Sequence, residues 1–196
     1  MPHPTAPAYE DDALLVAAVL RGDMEAFKKL ITLYEKLVIS IVFKMVHRVE
    51  DSEDLCQDIF LKVYEKLNSF HFQSKLSTWI GSIAFNTCVN FLQKKRLLLS
   101  GDFLSTAYGE EELQIPVIVK DTANDPGDKL EYKEREALLL QNVQQLSVIQ
   151  QTVLQLFHYN ELSLQEISAI TGLPVSTVKS HLFRARKVLK DAMNTY

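Results

Sequence analysis

From Asp11 to Leu99 apolar side chains recur every three or four residues, with two glycines and no proline to interrupt them, which is the period of packed α-helices. Leu14, Leu15 and Ala18 open the pattern, and Arg21-Gly22-Asp23 marks a turn. A long stripe follows: Phe27, Leu30, Ile31, Tyr34, Leu37, Val38, Ile41, Val42 and Met45. The acidic run Glu50-Asp51-Ser52 reads as a break, after which a third helix is predicted over 53–67, with Cys56, Phe60, Val63, Tyr64 and Leu67 turned inward. A polar loop over 68–75 leads to a fourth helix over 77–96, which ends in the basic run Lys94-Lys95-Arg96. The stripe then stops. Between Ser100 and Lys129 there are seven acids against two bases, with three glycines and two prolines, as in an extended linker. Helical spacing resumes from Leu130 to about Leu146 and again over 150–158. The pattern predicts an all-α chain: a Pro-rich disordered start (1–9), a helical domain (10–99), an acidic flexible linker (100–129) and a second helical domain (130–196).

The segment SLQEISAITGLPVSTVKSHLFRARKVLK, residues 163–190, carries the densest local signals. Ser163 followed by Glu166 is a capping box, in which each side chain satisfies a free backbone N–H of the first turn. Leu164, Ile167 and Ile170 repeat at helical spacing, and Thr171-Gly172 supplies a stop. Pro174 suits the first turn of a following helix, where its missing N–H costs nothing. Val178, Leu182, Ala185 and Leu189 give that helix one apolar stripe; Ser176, Thr177, Lys179, Ser180, His181, Arg184, Arg186 and Lys187 occupy its other faces. This predicts a helix-turn-helix whose second helix lies in a DNA major groove.

Charge placement matters more than charge total. The chain is formally −4, which excludes a uniformly basic coat for DNA, yet residues 163–190 hold five bases and one acid. The plain alternative is an amphipathic helix with a solvated basic face; the cap, the glycine stop and the proline start favour the helix-turn-helix. A 47% apolar and 23% charged composition matches an ordinary globular protein. Cys56 and Cys88 lack ligand or disulfide spacing and read as small hydrophobes in a reducing compartment. With no signal peptide and no apolar run of membrane length, a soluble, cytoplasmic chain is expected. No P-loop, metal-ligand cluster or nucleophile motif is present and the five histidines are scattered, so no catalytic residue, metal or other cofactor is expected.

Two further constellations stand out. Asp54, Gln57 and Asp58 lie at i, i+3 and i+4 and share one face of the third helix, as a solvated surface or as a hydrogen-bonding strip for a basic partner helix. Phe70, His71 and Phe72 sit in the polar loop, followed by Lys75, by Trp79 (the chain's one tryptophan), by Asn86 and by Lys94, Lys95 and Arg96. Aromatic rings interleaved with cations suit single-stranded nucleic acid, and an amide can read the edge of an extruded base. The competing reading is that Phe70, Phe72 and Trp79 plug the helical core.

RGDMEAFKKLITLY, DSEDLCQDIFLKVYEKL, LSTWIGSIAFNT and LSLQEISAITGLPVSTVKSHLFRARKVL, in this order, resemble the extracytoplasmic-function (ECF) class of bacterial RNA polymerase sigma factors over residues 14–96 and 134–189. The resemblance implies that the first domain is sigma region two and that Asp54, Gln57 and Asp58 dock on the clamp helices of the polymerase's largest subunit. It implies that the 68–75 loop and Asn86 capture a flipped base of the −10 element, with Trp79 near the upstream edge of the melted bubble. The linker would thread towards the active-site cleft, in a channel later claimed by RNA. The second domain would be region four, touching the polymerase flap and reading the −35 duplex through Pro174, Ser176, Thr177, Lys179, Ser180, Phe183, Arg184 and Arg186, with Lys187 beside them. Core polymerase, promoter DNA and an anti-sigma factor are the implied partners; no small-molecule substrate and no appended regulatory domain are expected.

Three departures from the family pattern matter. Leu146-Ser147 and Gln150-Gln151 stand where relatives carry Leu-Pro and then a base, which removes a phosphate contact. Lys179 stands where arginine is common and lacks its bidentate fork. Ser176 stands where glycine is frequent. The alternative to a sigma factor is a stand-alone helix-turn-helix regulator with an all-α dimerisation or sensing domain, which would bind a palindrome without polymerase.

Overall fold

The computed structural model describes residues 7–100, 143 and 145–194, and among them the chain is all-helical, with seven α-helices and no strand. The helices are α1 (Pro7–Leu20), α2 (Met24–Met45), α3 (Val49–Lys66), α4 (Leu76–Ser100), α5 (Val148–His158), α6 (Leu164–Thr171) and α7 (Val175–Asn194). They fall into two compact units, one built on α1–α4 and the other on α5 and α7. The expected linker, and the helix expected to run from Leu130 towards Leu146, lie outside the described residues apart from 143, 145 and 146.

In the first unit α1 begins at Pro7, inside the stretch expected to be disordered; proline's fixed φ suits a first helical position. Its inward face is Leu15, Val16 and Val19, whereas Leu14 is 72% exposed. Consecutive helical residues point about 100° apart, so a face centred on Leu15 and Val19 turns Leu14 outward. The turn between α1 and α2 forms as expected: Gly22 takes φ +88°, and Asp23 caps α2 by accepting from the backbone N–H of Glu25 at 2.9 Å and Ala26 at 3.1 Å. Leu30, Leu37, Val38, Ile41, Val42 and Met45 bury the stripe of α2, which packs against α1, α3 and α4. Each fully buried aliphatic side chain there contributes roughly 1.5–3 kcal/mol. Tyr34 ties α2 to α1 by donating its hydroxyl to Asp12 Oδ1 at 2.8 Å.

The acidic run expected to break the chain is instead part of α3. Glu50 and Asp51 occupy its first turn, where exposed N–H groups and the helix dipole favour negative charge. Ser52 is buried there and donates to the carbonyl oxygens of Arg48 (2.9 Å) and Val46 (3.1 Å). The inward face of α3 is Leu55, Ile59, Phe60 and Val63, with Leu67 just beyond. Cys56 is half-buried and Tyr64 exposed, so neither is the core residue expected; Tyr64 lies edge-on to Phe27, ring centres 4.9 Å apart. Both sit on the shoulder of the buried stripe rather than within it.

In the second unit Ser147 and Gln150 form a complete capping box for α5. Gln151 is buried and donates its side-chain amide to the carbonyl of Leu146 at 2.9 Å. Ser147, Gln150 and Gln151, three of the residues that depart from the family pattern, are thus used inside the fold. The second capping box forms as expected: Ser163 N–H donates to Glu166 Oε2 at 2.8 Å, and Glu166 N–H to Ser163 Oγ at 3.2 Å. Gly172 takes φ +72° between α6 and α7, and Ser168 Oγ donates to the carbonyl of Leu173 across that turn at 2.6 Å. Pro174 sits one position before α7, where its carbonyl accepts from Val178 N–H at 3.0 Å. No helix of the described residues is long and apolar enough to cross a membrane.

Candidate functional site

Three surfaces carry the chemistry singled out above. On α3, Asp54, Gln57 and Asp58 are all exposed and enter no hydrogen bond or ion pair among the described residues. Leu61, 58% exposed, continues the same face one turn on. The contrast with Asp51, one turn earlier, is sharp. Asp51 accepts from Lys95 Nζ at 2.8 Å, and that bond holds its carboxyl below the usual range. Arg48 lies 3.9 Å from the same carboxylate. One acid of α3 therefore ties α3 to α4, while Asp54 and Asp58 enter no ion pair among the described residues.

The second surface is the loop before α4. Leu67–Ser69 make one 3₁₀ turn, and the chain then runs irregularly to Lys75, whose carbonyl accepts the Trp79 N–H at 3.1 Å as α4 starts. Phe70 is buried, Phe72 is exposed, and their ring centres lie 4.7 Å apart. Trp79, half-buried, lies tilted against Phe70, ring centres 5.3 Å apart. For Phe70 the burial matches the core reading, while Phe72 is exposed and Trp79 half-buried beside it. Phe72 takes φ +55°, a conformation a bulky residue adopts only where its surroundings hold it there. His71 is exposed. Asn86 is exposed and donates to the carbonyl of Ser82 at 2.8 Å, which leaves its oxygen as an acceptor.

The basic run at the end of α4 separates in the same way. Lys94 is exposed, but Lys95 is committed to Asp51 and lies 5.5 Å above the Phe91 ring. Arg96 belongs to α4, with a side chain outside the described residues.

The third surface is α7. Val178, Leu182 and Ala185 are buried, and Leu189 is half-buried. Ser176, Lys179, Ser180, Phe183, Arg184 and Lys187 are exposed, with Thr177 half-buried and Pro174 exposed at the approach. Phe183 is 69% exposed, a large apolar side chain among cations and hydroxyls. Ser180 donates to the carbonyl of Ser176 at 3.0 Å. Arg186 differs from its neighbours: its guanidinium lies 5.1 Å over Phe157 and 3.2 Å from His158 Nε2, both on α5. Sequence spacing gave no sign of that attachment.

Two helical units, one of them ending in a capped helix-turn-helix with a cationic outer face, define the class of helical transcription factors. Comparison with known proteins narrows the class. Residues 30–97 match the family described as sigma-70 region 2, and residues 137–189 match sigma-70, region 4. The chain is 33% identical over 184 residues to the RNA polymerase sigma-H factor of Pseudomonas aeruginosa, spanning 94% of both chains. It is 32% identical over 181 residues to the ECF RNA polymerase sigma-E factor of Escherichia coli K12, spanning 92% of this chain and 93% of that one. Among solved structures, CnrH in complex with the cytosolic domain of CnrY shares the fold at 17% identity with a TM-score of 0.62, over 93% of this chain and 96% of that one. The Bartonella quintana sigma factor RpoE, crystallised with the anti-sigma factor NepR, does so at 23% identity and 0.61, over 86% and 96%. The chain belongs to the ECF family of RNA polymerase sigma factors, the proteins that give core polymerase its promoters.

Proposed function

We propose that the three surfaces divide the work of a sigma factor between the two units. Asp54, Gln57 and Asp58 dock α3 on a basic helical face of core polymerase. The Phe70–Lys75 loop, with Trp79, Asn86, Lys94 and Arg96, holds unpaired non-template strand at the −10 element: Phe72 and Trp79 offer stacking faces, Asn86 an acceptor for a base edge. Lys95 serves that surface indirectly, by fixing α4 on α3. In the second unit α7 reads the −35 duplex, with Lys179, Arg184, Arg186 and Lys187 at phosphates or base edges, Ser176, Thr177 and Ser180 as short hydrogen-bonding groups, and Phe183 as the apolar contact; Pro174 sets the approach of that helix. The proposed action is binding and strand capture in the cytoplasm, with no bond-making step. Unpairing costs a few kcal/mol per flipped base, which the pocket must offset. An anti-sigma factor is the proposed negative regulator, since two proteins of this fold were crystallised with a partner of that kind or with a cytosolic domain.

The observation that carries this reading is the exposure of unpaired charge on the surfaces it assigns. Asp54 and Asp58 on one unit, and Lys179, Arg184 and Lys187 on the other, find no counter-charge among the described residues, although Asp51 and Lys95 do. Purified core polymerase, with and without the chain, on fragmented genomic DNA tests it: new transcript starts preceded by two conserved elements are expected. A dimer of the free chain on an inverted repeat, with no new starts when polymerase is added, would instead establish the stand-alone regulator.

A further inference from the structure

Among the described residues, Arg186 is the one arginine of α7 whose guanidinium is held by another helix. Its guanidinium carbon lies over the Phe157 ring, 5.1 Å from the ring centre, and its terminal NH2 group meets His158 Nε2 at 3.2 Å. Arginine can only donate, so His158 accepts through Nε2 and carries its proton on Nδ1. The two rings stand edge to face, centres 5.0 Å apart, and form a right-angled seat at the last turn of α5. Both His158 and Arg186 are nonetheless exposed, so the seat lies at the surface beside the cationic face of α7. Two contacts occupy one ring face and one N–H; the other N–H donors of the guanidinium stay open to solvent.

We propose that Phe157 and His158 are positioning residues for promoter binding: they hold Arg186 in advance in the pose that meets a DNA phosphate. The inference rests on the assignment of Arg186 to the DNA surface and adds residues of α5 that touch no DNA themselves. Its physical content is entropic. A free arginine loses rotamer freedom on binding, whereas one already seated does not. Arg184 and Lys187 have no such seat among the described residues.

The test uses holoenzyme, core polymerase plus the full chain, on a promoter fragment mapped from its own transcripts, with affinity measured across a salt series. Arg186→Ala is expected to lower the log–log salt slope by about one, as the loss of one phosphate contact requires. His158→Ala and Phe157→Leu are expected to weaken binding about two- to tenfold with the slope unchanged, because the contact survives and only its ordering cost returns. His158→Gln, which keeps an acceptor, and Phe157→Tyr, which keeps the ring, are expected to restore most of the affinity. In the Arg186→Ala background, His158→Ala should have no further effect. A penalty that persists there would show that the seat acts on α5–α7 packing and overturn the proposal. Tighter binding by His158→Ala would mean that the seat withholds Arg186, which also overturns it. If Arg186→Ala itself leaves slope and affinity unchanged, it is the parent assignment of Arg186 that fails. The Arg186 Nε–Hε resonance gives a direct readout: a ring-current shift is expected in the parent chain and not in Phe157→Leu.

Discussion

Replacing Asp54 and Gln57 together by alanine separates docking from folding more cleanly than any other change in the first unit. Both side chains are exposed and make no hydrogen bond or ion pair among the described residues. Their removal should therefore move stability by no more than about 0.5 kcal/mol, with alanine's helix propensity in its favour. Binding is another matter. A charge pair desolvated in an interface costs about 2–5 kcal/mol when one partner is truncated, against about 0.2–1 kcal/mol for an exposed pair. Asp54 opens the exposed strip, with Asp58 and the 58% exposed Leu61 further along the same face, so an intermediate value applies. A ten- to hundredfold loss of affinity for core polymerase is expected, about 1.4–2.8 kcal/mol. Titrating labelled chain with core polymerase by fluorescence anisotropy measures it, and a circular-dichroism melt checks the fold. Ile59→Ala is the control for the opposite outcome: Ile59 is fully buried on the far side of α3, and truncation should cost about 2–5 kcal/mol of stability. Parent-like affinity in the double variant, with parent-like melting, would refute the docking assignment. A large drop in melting temperature would refute the claim that the strip is structurally idle.

Other outcomes follow from single contacts. Lys95 holds Asp51 below its usual range, so the bond stabilises the fold above the unfolded carboxylate value and is lost as pH falls through the folded one. The melting-temperature gap between parent and Asp51→Asn should be constant near neutrality and should close below about pH 4; a gap that widens in acid would contradict the assignment. Gly172→Ala meets no neighbour within 4 Å, so its cost should be only left-handed backbone strain, about 1–2 kcal/mol by thermal melting, and Gly172→Asn should cost less. Arg184→Ala should lower the salt slope of promoter binding by about one unit; full activity with an unchanged slope would remove Arg184 from the DNA surface.

Much of this architecture is written in short-range chemistry. The Ser163–Glu166 box, the left-handed Gly172 and the Arg21-Gly22-Asp23 turn each depend on atoms within four residues, and the start of α2 and the helix-turn-helix could be placed from them. Errors arose where one local signal had two meanings. Glu50-Asp51-Ser52 reads as a break by polarity but as a first turn by dipole, and the buried Ser52 shows which prevailed. Leu14 and Leu15 are equally apolar, and only the phase of α1 against its neighbours decides which is inside. The Ser147–Gln150 cap was legible as a capping box, yet comparison with the family directed attention to a missing base instead.

The order of caps, stripes and charges along the chain was enough to settle an all-helical protein of two units with a helix-turn-helix at its end, because helix signals are local and periodic. Packing alone could tell chemically identical residues apart. Among the described residues Asp51 is engaged and Asp54 has no partner, Lys95 is engaged and Lys94 exposed, and Arg186 is seated and Arg184 exposed. The partners responsible lie 44 residues away for Asp51 and Lys95, and 28 for Arg186 and His158. Such pairings depend on how whole helices cross, a long-range outcome of burying apolar surface that no window of neighbouring residues records.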